Sequence, residues 1–112
     1  MYIAALDIGG TKTIVAILDE NGGILIQESF PSIVARYETH LELCVQAMKR
    51  LMHRTELQAE DFTGLGVSLP GIVDNEKGIL LYAPYANWEN VEAAGYLRKN
   101  LGISRVRCEN DV

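Results

Sequence analysis

Hydrophobic and polar positions along the chain alternate between two periods, and the change of period marks the elements. Residues Tyr2-Ile3-Ala4-Ala5-Leu6-Asp7-Ile8 are almost continuously apolar up to one carboxylate, which is how a strand buried on both faces reads. Gly9-Gly10 interrupt the run, and the β-branched stretch Thr13–Leu18 resumes as a second strand. Asp19-Glu20-Asn21-Gly22-Gly23 carries the Asn-Gly signal of a tight hairpin, and Ile24–Phe30 supplies a third strand, so an antiparallel meander is expected.

After Pro31 the period lengthens. From Val34 to about Arg54, apolar residues recur at Tyr37, Leu41, Cys44, Val45, Met48, Leu51 and Met52, spaced by threes and fours as on one face of a helix. Lys49, Arg50, His53 and Arg54 gather in its last turns, where the helix dipole favours cations. Gly64–Leu69 reads as a short buried strand stopped by Pro70-Gly71. Ile72-Val73 and Ile79–Leu81 flank a turn at Asp74–Gly78. A second helix is expected from about Glu89 to Leu101, with Val91, Ala94, Leu97 and Leu101 inward and Gly102 as its stop, and Arg105–Cys108 forms a last short strand. The fold class is α/β: a mixed sheet in the order βββαβαβ, flanked by helices, with a small extra hairpin.

Composition narrows the function classes. A chain of 112 residues makes one domain with one modest core. Its 15 acidic and 10 basic residues leave a net charge of −5, with no basic cluster to reverse it locally, so nucleic acid is not an expected partner. No run approaches the roughly 20 apolar residues that span a bilayer, and no basic segment precedes a long apolar stretch, so a cytoplasmic location and no membrane partner are expected. Cys44 and Cys108 stand apart, with only His40 and His53 as further soft ligands, so no structural zinc site is expected in this chain. The sequence leaves a disulfide between the two cysteines open, but buried free thiols are the expected reading and fit a reducing compartment.

Chemistry concentrates in three places. In Asp7-Ile8-Gly9-Gly10-Thr11-Lys12-Thr13, two glycines let the backbone turn sharply and bring N–H groups close to an anion, while Thr11 and Thr13 add hydroxyl donors. Such a turn can cradle a phosphate, with Asp7 holding hydrated Mg²⁺ beside it; it serves equally as a plain hairpin turn with Asp7 a solvated strand end. No Gly-Lys pair occurs, which excludes a P-loop, and Leu69 breaks any dinucleotide fingerprint starting at Gly64. The second place is Gly66-Val67-Ser68-Leu69-Pro70-Gly71-Ile72-Val73-Asp74 and the third Glu109-Asn110-Asp111. Read alone, these are an ordinary Pro-Gly turn and a polar segment.

Taken in order, the three segments resemble the ROK family, which comprises bacterial sugar kinases, glucokinases among them, and sugar-responsive transcriptional regulators. More broadly the chain resembles the actin, Hsp70 and hexokinase superfamily. The resemblance implies a ribonuclease H-like mixed sheet, with residues 1–112 as the N-terminal lobe and a C-terminal lobe outside this chain. It implies ATP and Mg²⁺ as cofactors, with Asp7, Gly9, Gly10, Thr11, Lys12 and Thr13 at the ATP phosphates and Mg²⁺. Pro70, Gly71, Ile72 and Asn110 would line the sugar pocket, and Asp111 would be the general base. Chemically, a carboxylate at the mouth of a sheet can take the proton of an attacking hydroxyl, and an amide that both donates and accepts suits vicinal hydroxyls.

The resemblance further implies that zinc, bound by a Cys-x-Cys-Gly-x-x-Gly-Cys segment, belongs to the missing lobe, along with the second phosphate loop and the adenosine site. Ala83-Pro84-Tyr85-Ala86-Asn87-Trp88 resembles a family stretch in which Asn is usual where Tyr85 stands, and Trp88 is expected to pack. Relatives often dimerise, so sugar, ATP and a second full-length copy are the expected partners. The family's regulators carry a helix-turn-helix ahead of the first strand. Met1 directly precedes that strand here, which favours the kinase over the regulator or a non-catalytic sugar-binding domain.

Overall fold

The apolar N-terminal run becomes the middle of a sheet. The computed structural model describes residues 1–83 and 88–110. Strands β1 (Tyr2–Ile8), β2 (Lys12–Leu18) and β3 (Ile24–Pro31) form the meander, followed by helix α1 (Tyr37–Thr55), one 3₁₀ turn (Ala59–Asp61) and β4 (Phe62–Leu69). Then come β5 (Ile72–Asp74), β6 (Ile79–Ala83), β7 (Trp88–Val91), helix α2 (Ala93–Leu101) and β8 (Val106–Asn110). The main sheet runs β3-β2-β1-β4-β8, and β5-β6-β7 form a small sheet of their own. β1 pairs antiparallel with β2 and parallel with β4, which in turn pairs parallel with β8, so the expected mixed sheet is present.

The strand register sorts side chains onto two faces. Leu6 pairs with Val15 on one side and Val67 on the other, and Val67 pairs with Cys108. All four are buried, together with Leu41, Cys44, Met48 and Leu51 of α1 and Ala94, Leu97 and Leu101 of α2, in one core. The helices therefore cover a single face. The expectation that β1 is buried on both faces is corrected: Ala5, Ala16 and Gly66 form one row and Asp7, Ile14, Ser68 and Glu109 the next on the opposite face, which no helix covers among the described residues.

Both helices begin later than their apolar pattern suggests. Arg36 is extended (φ −143°, ψ 116°), so α1 starts at Tyr37 rather than Val34. It ends where Glu56 enters the left-handed region and the Leu57 N–H donates to the Met52 carbonyl, closing the last turn. For α2 the correction is larger. Residues 89–91, expected as its first turn, belong to β7: Val91 pairs with Leu80 and is buried, and Asn90 holds φ 51°, which a helix interior does not admit. The apolar spacing of Val91 fits either element, and strand pairing decides. Gly102 stops α2 at φ 76°, as its sequence position implies.

Candidate active site

The β1–β2 connection is a two-residue hairpin. The Gly9 N–H donates to the Lys12 carbonyl at 3.0 Å, leaving Gly10 and Thr11 at the tip. A Cβ on Gly9 would lie 2.8 Å from that carbonyl oxygen, so close approach is what requires glycine there. The Gly10 and Thr11 N–H groups have no hydrogen-bond partner among the described residues, and Thr11 and Lys12 are exposed. The tip thus offers two N–H donors unengaged among the described residues, a hydroxyl and an ammonium. Asp7, two residues before Gly9, is also exposed and forms no ion pair or hydrogen bond among the described residues.

Thr13 departs from the expected phosphate-facing set. It is fully buried on the helix-covered face, with its hydroxyl 2.8 Å from His40 Nε2 and 2.9 Å from Ser32 Oγ. The alternation of a strand explains this: Lys12 points out, so Thr13 points in. Ser32 donates to the Gly9 carbonyl at 2.7 Å, and the Ile33 N–H donates to His40 Nδ1 at 3.1 Å. His40 and Ser32 escape a reading by motif. His40 nevertheless stands in phase with Tyr37 and Cys44 on the buried stripe of α1, and that phase is the signal that could have found it.

The sheet brings the other segments to the same edge. Asp7 pairs with Ser68, and Ser68 with Glu109, at the carboxyl ends of three parallel strands. Two strand spacings put the β1 and β8 backbones about 10 Å apart there. Asp7, Ser68, Arg107 and Glu109, with Ala5, Ile14, Ala16 and Gly66, line a cavity of about 540 Å³ on the uncovered face. In open α/β sheets this edge is where ligands bind.

Pro70 is buried and Ile72 exposed, while Gly71 adopts φ 110° with its Cα against the Tyr82 carbonyl, where a Cβ would overlap that oxygen. The Pro-Gly turn is thereby clamped between the sheets. Asn110 is exposed at the end of β8, beside Leu69. Asn75 Nδ2 donates to Glu109 Oε2 at 3.4 Å, tying the β5–β6 turn to the same strand. Asp111 and Tyr85 lie outside the described residues. Trp88 packs as expected: it is buried, and its indole N–H donates to the Val34 carbonyl at 2.9 Å.

Both cysteines are buried free thiols. Burial pushes Cys44 up to about 12. It pushes Cys108 up to about 11, opposed by Arg98 and reinforced by Glu109. Burial also lowers His40, which favours the neutral ring.

A family model described as the ROK family matches residues 3–112. The chain belongs to the ROK family. Among curated ROK relatives, a glucokinase of Thermotoga maritima is 28% identical over 99% of this chain, and a glucokinase of Streptomyces coelicolor is 26% identical over 95%. The chain spans about a third of the length of these relatives. Among solved structures, a ROK family glucokinase from Streptomyces griseus, in complex with glucose and AMPPNP, superposes with a TM-score of 0.83 at 23% identity, covering 98% of this chain and 33% of that one. A ROK family transcriptional regulator, homologous to the E. coli MLC protein, superposes with a TM-score of 0.82 at 21% identity, covering 98% and 28%. The βββαβαβ sheet is thus the ribonuclease H-like sheet of the actin-like ATPase fold.

Proposed function

We propose that residues 1–112 are the N-terminal lobe of an ATP-dependent sugar kinase that transfers the γ-phosphoryl group to a hydroxyl of a hexose or amino sugar. The observation that carries this reading is the meeting, at one edge of the sheet, of a hairpin whose Gly10 and Thr11 N–H groups have no partner among the described residues, a carboxylate, Asp7, that likewise has none among them, and the β8 end leading into Asn110-Asp111. Similarity to glucokinases adds support.

Magnesium-ATP supplies the phosphoryl group and the charge that offsets its oxygens. The residues present fit it: Asp7 is a hard oxygen donor of the kind Mg²⁺ takes, unpaired among the described residues, and the hairpin tip has the Gly10 and Thr11 N–H groups free of partners among them. In this reading the Gly10 and Thr11 N–H groups, the Thr11 hydroxyl and the Lys12 ammonium orient the terminal phosphate, and Gly9 lets the backbone approach it. Thr13 supports the hairpin from inside. Pro70, Gly71 and Ile72 line the sugar side, and the Asn110 amide bonds vicinal hydroxyls. Asp111 takes the proton of the attacking hydroxyl as it reacts. A C-terminal lobe, with zinc bound there, encloses the reactants and excludes water, so the 112 residues alone do not turn over. A cytoplasmic location and dimerisation of the whole protein belong to the same reading.

The test is Asp111→Asn in the full-length protein, which keeps the side chain's shape and removes the base. It lowers kcat by about 10²–10⁴ with little change in sugar affinity. Near-normal kcat rejects Asp111 as the base. A wild-type protein that binds sugar without phosphorylating it favours the regulator, whose similarity in fold is equal to that of the kinase.

A further inference from the structure

The buried polar groups behind the hairpin form a chain with one allowed direction. The Ile33 N–H donates to His40 Nδ1, so the ring proton resides on Nε2 and is donated to Thr13 Oγ1. Ser32 spends its own proton on the Gly9 carbonyl, so it must accept from Thr13. Every polar atom along the path has one role: His40 Nε2–H to Thr13, Thr13 O–H to Ser32, Ser32 O–H to Gly9. A second tie runs alongside it, from the Ser32 N–H to the Thr11 carbonyl at 2.9 Å. The path ends on the main chain of the hairpin, which distinguishes it from a network that only satisfies its own members.

We propose that His40 is a positioning residue: from within the core, through Thr13 and Ser32, it holds the Gly9–Lys12 hairpin in the conformation that presents its N–H groups outward. The consequence for nucleotide binding rests on the kinase reading; the ordering of the hairpin does not. Phe30 of β3 and Trp88 of β7 pack on the ring, with centroids 5.7 and 5.9 Å away, and fix its plane. Neither these nor Thr13 and Ser32 carries a titratable group that could compensate a charged imidazole. A second proton on Nδ1 would also meet the Ile33 N–H head-on, so the path exists only with His40 neutral. Lowering of the His40 pKa by burial agrees with that state.

The test is amide hydrogen exchange and ¹⁵N NMR on the intact chain. His40 shows the Nε2–H tautomer. Thr13→Val and Ser32→Ala each speed exchange of the Gly9 amide about tenfold, as expected for one lost buried hydrogen bond, and leave the mid-strand amides of Ala5 and Leu6 unchanged. Thr13→Ser, which retains the hydroxyl, restores the wild-type rate. A proton on Nδ1, an unaffected Gly9 amide, or equal acceleration throughout β1 overturns the proposal, the last by reducing the network to general stability. In the full-length protein, Mg–AMPPNP binding weakens in Ser32→Ala in step with the hairpin. Unchanged affinity with a loosened hairpin overturns the link to nucleotide. Failure of the wild type to bind Mg–AMPPNP overturns the kinase reading, while the exchange rates still decide the role of His40.

Discussion

Asp7 and Ser68 stand side by side, in register on β1 and β4, at the carboxyl ends of two parallel strands. One is an exposed carboxylate with no cation beside it among the described residues. The other is a small hydroxyl that leaves the space in front of it open. Packing gives little reason for a charge here: Asp7 stands between Ile14 and Ser68, with Ala5, Ala16 and Gly66 in the row before it, and makes no ion pair among the described residues with Arg107, which lines the same cavity. Under the kinase reading proposed above, a hold on Mg²⁺ would give one.

Asp7→Asn therefore separates stability from activity. Its exposed side chain makes no hydrogen bond or ion pair among the described residues, so the urea midpoint is expected to correspond to a change within about 0.5 kcal/mol. On the kinase reading, phosphoryl transfer by the full-length protein is expected to fall by about 10²-fold or more, with a raised Mg²⁺ requirement. Titrating activity against Mg²⁺ in both proteins checks this. An unchanged Mg²⁺ profile would remove Asp7 from the site.

Gly71 and Gly66 make an informative pair. Gly71 has a positive φ, and a Cβ there would overlap the Tyr82 carbonyl. Gly71→Ala is expected to cost roughly 2–4 kcal/mol in a urea melt, because backbone strain and a steric clash with main chain add. Gly66 has nothing within 4 Å of a built Cβ and no positive φ. Gly66→Ala is expected to be neutral or to stabilise by up to about 1 kcal/mol through the unfolded chain. Equal loss in the two variants would contradict the role given to the Pro-Gly turn.

Legibility in the sequence followed the number of physical reasons that agreed at each position. The meander was readable because apolar runs, Asn21-Gly22 and the Gly9-Gly10 break all point to the same pairing, which the register confirms. The strand β7 was not, since Val91 fits both a helix stripe and a buried strand position, and only pairing with Leu80 separates them. At the hairpin, residue types suggested phosphate chemistry but not direction: Thr11 and Thr13 look alike in sequence, yet Thr11 is exposed at the tip and Thr13 is buried in the core. His40 was hidden for a different reason. A histidine on an apolar stripe announces nothing until Thr13, 27 positions earlier, is seen to meet it.

The thiols give a third prediction. With Cys44 pushed up to about 12 and Cys108 to about 11, neither forms appreciable thiolate near neutral pH, and both are inside the core. A chromogenic disulfide reagent added to the native chain should read close to zero thiols, and two after denaturation. Rapid labelling of the native protein would mean that the core opens around α1 or β8.

The fourth prediction follows from the neutral His40. Its folded-state pKa lies below the ordinary 6.5, so at acidic pH the unfolded chain binds more protons at this residue than the folded one. Stability contributed by the neutral ring is fully present above about pH 6.5 and is lost as pH falls below it, with a slope of at most about 1.4 kcal/mol per pH unit for one proton. The loss levels off once the folded-state ring also protonates. Urea midpoints measured from about pH 7.5 down to about 5 trace this window. In His40→Gln, whose amide can still donate to Thr13 but cannot titrate, the slope in that window is expected to shrink by one proton's share. The carboxylates and His53 are common to both proteins and cancel in the comparison. Identical slopes would mean that His40 is protonated in the folded state, and the one-way path from Ile33 to Gly9 could not then exist.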